Sequence, residues 1–188
     1  MIRGPVRRVG PSFTRYFSTN LALTSEHAQF LSLVSGHGGG EVKLQFIGPE
    51  TSSQTKVAEI TLNNPEKRNA VTGKMMKDIA EIVDHLTLSE DMKSSDCVAV
   101  ILRSTGDDIF SSGADFGLAS AVINSPDNGL LMSRFMTNAL NRLRSSGYIS
   151  VCAVTGSALG GGAELITTTD FRIMSSAKNH FVQFIHAK

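Results

Sequence analysis

Two segments of the chain combine the end of a predicted strand with a glycine-containing turn that leads into a predicted helix. They are residues 110–115 (FSSGAD) and residues 156–164 (GSALGGGAE). Turns of this kind leave backbone N–H groups without partners, and the start of a helix favours a negative charge. If the two turns converge, their amides can hold the oxyanion that develops when a carbonyl compound reacts.

Glu164 is the candidate acid or base of this arrangement. It comes three residues after Gly161, so the two residues lie on the same face of a helix, one turn apart. A carboxyl group there would lie beside the oxygen that the amides hold, and apolar neighbours such as Leu165 would shield it from water. The alternative is structural: the run at residues 160–162 is a tight backbone crossing, and Glu164 is a first-turn carboxylate that stabilises the helix. The physical pattern alone leaves both interpretations open.

The turns are embedded in an alternation of predicted strands and helices. In residues 56–62 the side chains alternate between two faces, and Ala58, Ile60 and Leu62 form the apolar face of a strand. In residues 72–88 the apolar residues recur at the spacing of a helix. By the same criteria we predict strands at residues 42–47, 98–102, 149–154, 171–174 and 181–185, a helix at residues 128–144 and a helix containing Glu164. This alternation predicts an α/β fold.

The N-terminal segment differs in composition from the rest of the chain. Residues 1–20 contain four Arg, several small hydroxyl residues and no Asp or Glu, which is typical of a mitochondrial transit peptide. We predict cleavage after Phe17 and a location in the mitochondrial matrix; the alternative is a disordered basic terminus on a cytosolic protein. The stretch at residues 35–40 is predicted to be a glycine-rich hinge. Residues 1–40 would then form a transit peptide and flexible leader, and residues 41–188 the folded domain.

Composition narrows the functional classes. With 188 residues, of which 41% are hydrophobic and 19% charged, the chain is predicted to form one globular domain with a buried core. Cys97 and Cys152 lie within apolar runs, so they are predicted to be buried, reduced thiols. The sequence contains no His and Cys cluster with the spacing of a zinc site, no stretch suited to a membrane span and no basic patch for nucleic acid.

Three segments together resemble a known family. Residues 60–76 (ITLNNPEKRNAVTGKMM), 109–116 (IFSSGADF) and 154–174 (VTGSALGGGAELITTTDFRIM) resemble the crotonase (enoyl-CoA hydratase/isomerase) superfamily. The resemblance extends over residues 42–185 and implies a spiral of repeated ββα units that lacks the C-terminal helical part of the fold. It also implies assembly into homotrimers or hexamers.

The resemblance assigns roles to individual residues. It implies that the backbone amides of Ala114 and Gly161 hold the oxygen of an acyl-CoA thioester, and that Glu164 is a catalytic acid or base. Coenzyme A is expected to bind largely through backbone atoms of the loop before helix 72–88 and of the first glycine turn. The residues assigned to substrate and coenzyme A in this way are Lys67, Arg68, Ala70, Ser112, Gly113, Asp115 and Gly160. No metal or organic cofactor is expected, because coenzyme A is part of the substrate.

Four charged residues also allow a structural interpretation. Lys67 and Arg68 are candidates for contacts with the phosphates of coenzyme A, but loop cations are by default simply solvated. Asp115 and Asp170 resemble a catalytic pair, but each lies at the boundary of an element, where Asp is a common cap. We therefore expect neither Asp to be catalytic.

The reaction is suggested by two further segments. Residues 135–143 (FMTNALNRL) and 180–188 (HFVQFIHAK) are most similar to decarboxylating members of the superfamily. This similarity implies decarboxylation of ethylmalonyl-CoA, with methylmalonyl-CoA as a second substrate, to the saturated acyl-CoA as a metabolite-repair reaction. The alternatives are enoyl-CoA hydration or isomerisation, a catalytically inactive acyl-CoA-binding protein, and an α/β domain whose glycine turns are purely structural.

The C-terminal end of the sequence bears on these alternatives. Hydratases of the superfamily carry a second catalytic glutamate and closing helices beyond the region that matches here, and the sequence ends at Lys188. We therefore expect a C-terminally truncated form, which lacks the residues that distinguish these reactions.

Overall fold

A computed structural model describes residues 20–48, 55–93, 96–122, 124–176 and 179–185. Residues 1–19, which include the cleavage position predicted after Phe17 and nearly all of the segment with transit-peptide composition, lie outside the described residues. Residues 49–54, which follow the first predicted strand, also lie outside the described residues.

The described chain alternates strands and helices, as predicted. The strands are β1 (Glu41–Ile47), β2 (Lys56–Asn63), β3 (Cys97–Ser104), β4 (Ile109–Ser111), β5 (Ile149–Val154), β6 (Ser157–Leu159), β7 (Phe171–Met174) and β8 (Val182–Gln183). The helices are α1 (Asn20–Val34), α2 (Gly73–Leu88), α3 (Glu90–Lys93), α4 (Phe116–Ala121), α5 (Pro126–Arg144) and α6 (Gly161–Thr167), with a 3-10 turn at Pro65–Lys67. Helix α1 and the short elements β6 and α3 are additions to the predicted set, whereas β4 and α4 are the strand end and the helix expected on either side of the first glycine turn.

The strands form two sheets, and from β3 onward the chain adds strands to the two sheets alternately. One sheet has the order β1-β2-β3-β5-β7, and the other has the order β4-β6-β8. Only β1 and β2 pair in antiparallel fashion; the other described pairs are parallel. From β3 onward, each strand added to the first sheet is followed by one added to the second. This alternation is the predicted spiral of ββα units, and it confirms the α/β class.

The core lies between the first sheet and the helices. The predicted apolar face of β2, formed by Ala58, Ile60 and Leu62, is buried. Helix α2 buries the predicted stripe through Met75, Ile79, Val83 and Leu86, and Thr72 caps its first turn by accepting a hydrogen bond from the Met75 N–H. The apolar face of β2 and the apolar stripe of α2 therefore belong to one apolar layer.

Helix α1 belongs to this core. This packed position differs from the prediction, in which the residues up to 40 form a flexible leader. Phe30 is 1% exposed and Val34 is fully buried. The ring of Phe30 packs against the ring of Phe135 in α5, with 5.1 Å between the ring centroids. Burying each such side chain stabilises the fold by about 2 kcal/mol. Because α1 contributes two of them, the folded unit includes α1 and does not start at Glu41. The leader-like composition of the preceding residues concealed this helix.

The loop between β2 and α2 is held by one buried side chain. Asn69 is 1% exposed and has a positive φ of 51°. Its Oδ1 accepts the N–H of Asn64 at 2.9 Å, and its Nδ2 donates to the carbonyl oxygens of Thr105 at 2.8 Å and Ile109 at 3.1 Å. Its own carbonyl accepts the hydroxyl of Ser111 at 2.8 Å. Asn69 thus joins the loop to the end of β3 and to β4.

The described helices include none that is long and apolar enough to cross a membrane. Within the same residues, no group of three or more His, Cys, Asp or Glu side chains is placed to hold a metal ion. Cys97 and Cys152 are buried free thiols, as predicted.

Burial raises the pKa of the Cys152 thiol to about 12. We therefore expect Cys152 to resist a thiol reagent such as Ellman's reagent at pH about 8, because the reactive thiolate is scarce and inaccessible. Both cysteines should react once the chain is unfolded in urea. Rapid labelling of Cys152 in the folded chain, located by peptide mapping, would contradict this arrangement.

Replacing Asn69 by Ala should destabilise the chain by about 3 kcal/mol, because it leaves buried backbone groups of the loop and of β4 without partners. Urea unfolding would measure the loss. The matched control is Asn63→Ala, which removes one hydrogen bond to Glu41 at the end of β2. Equal costs for the two substitutions would refute the central role of Asn69.

Candidate functional site

The loop after β2 and the first glycine turn are hydrogen-bonded to each other. The N–H of Ser112 donates to the Arg68 carbonyl at 3.0 Å, and the N–H of Val71 donates to the Gly113 carbonyl at 2.8 Å. The N–H of Asp115 returns to the Val71 carbonyl at 3.0 Å. The two regions assigned to coenzyme A by resemblance therefore form one surface.

The two glycine turns also converge, as the family resemblance implied. A Cβ atom added to Gly113 would lie 3.0 Å from the backbone nitrogen of Gly161 and 2.9 Å from the carbonyl oxygen of Leu159. Gly113 has a φ of 94°, which side-chain-bearing residues rarely adopt. Gly162 is similarly confined, because an added Cβ would collide with the backbone of Ser111. Glycine is thus required where the backbones of the turns touch.

This contact brings together the amides of Ala114 and Gly161. A Cβ atom on Gly161 would be 3.6 Å from the nitrogen of Ala114. No hydrogen bond between described residues uses either N–H as donor, whereas the neighbouring Gly160 N–H donates to Gln183 at 2.9 Å. Gly161 is the first residue of α6, where an N–H has no acceptor within the helix. Two adjacent amides with unused donors are the elements of an oxyanion hole.

Glu164 lies in the first turn of α6, with its side chain exposed. Its backbone N–H donates to the carbonyl of Gly160 at 3.0 Å. Its neighbours Leu165 and Ile166 are buried in the core. The apolar shielding expected around the carboxyl is therefore not formed by the described residues, because these apolar side chains serve the core instead.

The remaining predicted site residues divide by exposure. Lys67 and Arg68 are exposed, which leaves their cations accessible at the edge of the loop, whereas Ala70 is buried beneath it. Asp115 accepts the N–H of Leu118 at 3.0 Å and caps α4, as expected for a structural Asp. The loop therefore presents the cations of Lys67 and Arg68 outward.

Asp170 is structural but is not a helix cap. Its carboxylate accepts both the N–H and the hydroxyl of Ser150, each at 2.8 Å, and so links the starts of β5 and β7. The hydrogen bond from the Ser150 backbone is the main cause that lowers the pKa of Asp170, with the Ser150 hydroxyl adding to it. Asp115 and Asp170 are thus each engaged with separate backbone groups, and they do not act as a pair.

Sequence reasoning missed two residues that shape the site. Asn69 orders the loop, and Ser111 bonds both the Asn69 carbonyl and, at 3.2 Å, the Gly113 N–H. Their partners lie far away in sequence, so no local spacing identifies them. The one available signal is the residue type, since Asn adopts positive φ more readily than most residues.

Comparisons with known proteins agree with this geometry. The family model Enoyl-CoA hydratase/isomerase matches residues 52–186. The chain is 36% identical over 169 residues to a protein of Xenopus laevis named ethylmalonyl-CoA decarboxylase, covering 85% of this chain and 54% of that protein. It is 39% identical over 149 residues to the Danio rerio protein of the same name, covering 79% and 45%. The chain thus spans about half the length of the curated relatives it matches.

Solved structures show the same fold. An enoyl-CoA hydratase of Bacillus anthracis superposes with a TM-score of 0.59 at 21% identity, over 71% of this chain and 46% of that chain. A candidate enoyl-CoA hydratase of Thermobifida fusca, solved with acetoacetyl-CoA, gives a TM-score of 0.55 at 27% identity, over 79% and 53%. With its sheets, its converging glycine turns and the matched family model, the chain belongs to the enoyl-CoA hydratase/isomerase family and has the crotonase fold.

Proposed function

We propose that the chain provides the oxyanion-binding half of an acyl-CoA decarboxylase acting on ethylmalonyl-CoA. The observation that carries the proposal is the close approach of the two glycine turns, which sets the amides of Ala114 and Gly161 side by side. The names of the relatives, ethylmalonyl-CoA decarboxylase, support this choice of substrate.

The proposed reaction needs a place for one pair of electrons. When the bond between the α-carbon and the carboxylate breaks, CO2 leaves and the electron pair moves into the thioester, which becomes an enolate. The negative oxygen of that enolate would accept hydrogen bonds from the Ala114 and Gly161 amides. Because both donors are fixed by backbone contacts, they need little reorganisation as the charge develops.

The enolate then requires a proton on its α-carbon to give the saturated acyl-CoA. Glu164 is the proposed donor, because it sits in the first turn of the helix that begins with the Gly161 amide. A protonated carboxyl would also avoid repelling the substrate carboxylate. Solvent would supply the next proton, so one turnover consumes one proton and releases one CO2.

Coenzyme A has a proposed place along the loop before α2. Lys67 and Arg68 are exposed there, and two carbonyls of this loop accept hydrogen bonds from Ser112. The cations would pair with phosphate groups of coenzyme A. Such exposed ion pairs contribute modestly to the free energy of binding. Their main effect would be on binding of substrate rather than on the chemical step.

Gly161→Pro tests the amide pair, because proline lacks the N–H but is tolerated as the first residue of a helix. We expect the release of CO2 from ethylmalonyl-CoA to fall about 100-fold or more. The matched control is Gly161→Ala, which keeps the N–H and whose Cβ would meet no described atom closer than 3.6 Å. The proposal fails if both variants retain activity, or if both lose it equally while remaining folded.

Glu164→Gln tests the proton donor. We expect turnover to fall about 100-fold while the affinity for butyryl-CoA, the expected product, is unchanged, since the amide cannot supply the proton. The same change at Glu81, an exposed residue of α2, is the control and should leave turnover unaltered. Full activity of Glu164→Gln would exclude the donor role and leave the amide pair in place.

A second candidate is a non-catalytic acyl-CoA-binding protein, and exposed apolar residues favour it. Phe171 and Ile173 on the edge strand β7 are 60% and 67% exposed, and Phe181 and Ile185 flanking β8 are about half exposed. Surfaces of this kind bind partners. A folded chain that binds butyryl-CoA but neither decarboxylates ethylmalonyl-CoA nor hydrates crotonyl-CoA would support this candidate, whereas crotonyl-CoA hydration alone would indicate a hydratase.

A further inference from the structure

The segment that follows α1, residues 35–40, runs tightly across the start of α2; we call it the strap. A Cβ atom added to Gly38 would lie 2.6 Å from the Thr72 side chain, and one on Gly40 would lie 2.8 Å from the Asn64 side chain. Gly73 is confined in the same way by the Val34 carbonyl. Gly38 and Gly40 have positive φ, 84° and 77°, so the strap can follow this path only with glycine at these two positions.

Polar contacts join the strap to the helix. The hydroxyl of Thr72, a residue only 2% exposed, donates to the Gly39 carbonyl at 2.8 Å. The same oxygen accepts the N–H of Met75 at 3.2 Å and so caps α2. The N–H of Lys74 donates to the His37 carbonyl at 3.3 Å. Thr72 therefore connects the strap and the helix through one hydroxyl.

The strap contacts both ends of the loop proposed to bind coenzyme A. Asn64 precedes the loop, lies against Gly40 and donates from Nδ2 to the Ala70 carbonyl at 2.9 Å. Thr72 follows the loop directly after Val71, which bonds the Gly113 carbonyl. The loop thus lies between two residues that contact the strap, and Thr72 is hydrogen-bonded to it.

We propose that Thr72 is a positioning residue that couples the strap to the loop 67–71, and that α1 and the strap are thereby part of the acyl-CoA site. The matched family model begins at residue 52, so α1 and the strap lie outside it, whereas the loop lies inside it. The coupling stands on the contacts above, and its effect on ligand affinity rests on the proposed function. A loop ordered before binding loses less conformational freedom when the ligand arrives.

Thr72→Val and Thr72→Ser in the full chain test this coupling. Valine keeps the shape of the side chain but removes the hydroxyl, whereas serine keeps the hydroxyl. In Thr72→Val we expect faster hydrogen exchange at the amides of Asn69, Ala70 and Val71, and a dissociation constant for butyryl-CoA raised about tenfold. Thr72→Ser should restore both quantities to near the wild-type values.

Ser125→Ala is the matched control for the loss of a helix cap. Ser125 caps α5 by accepting the Asn128 N–H at 3.2 Å, so its removal imitates the capping loss far along the chain from the loop. This variant should change neither the exchange of the loop amides nor the butyryl-CoA affinity. Melting temperatures of all variants show that each one is folded.

Two results would overturn the coupling. One is loop exchange in Thr72→Val that matches Ser125→Ala; the other is a Thr72→Ser variant as impaired as Thr72→Val. If wild-type chain does not bind butyryl-CoA at all, the proposed function fails, while the exchange measurements still decide whether Thr72 orders the loop. The two proposals can therefore fail separately.

Discussion

The side-chain amide of Asn69 satisfies backbone groups from three separate parts of the chain. It accepts from Asn64 and donates to the residues that bracket the connection between β3 and β4. A buried backbone group without a partner costs about 1–3 kcal/mol, so the loop has one favourable position relative to the sheets. Backbone hydrogen bonds to Arg68 and Val71 then fix the first glycine turn relative to this loop.

The geometry of the amide pair follows from backbone contacts rather than from side chains. Gly113 and Gly162 have no room for a Cβ atom, so the turns can approach until their backbones touch. The donors are then placed by the paths of β4 and β6, which are neighbours in the second sheet. Such a site tolerates changes in the surrounding side chains, which is consistent with one fold serving several reactions of acyl-CoA compounds.

The sequence predicted much of this arrangement and missed specific parts for physical reasons. Residues 56–62 and 72–88 carry clear periodicity, so β2 and α2 were placed to within one residue. The convergence of the glycine turns was implied by the family resemblance alone, because spacing along the chain does not show whether two distant turns meet. The role of Asn69 was missed, because its partners are up to 42 residues away and leave no local pattern. The exposure of Glu164 depends on what surrounds it, which spacing along one helix does not encode.

The burial of Phe30 and Val34 shows that the N-terminal end of the packed unit differs from the start of the family match. The match to the family model begins at residue 52, but the packed unit includes α1. A recombinant fragment that begins at residue 52 would lose the ring that packs on Phe135 and the carbonyl that closes over Gly73. Its helices α2 and α5 would expose apolar surface to water, and loss of solubility after such trimming would reflect the choice of end point rather than an unstable fold.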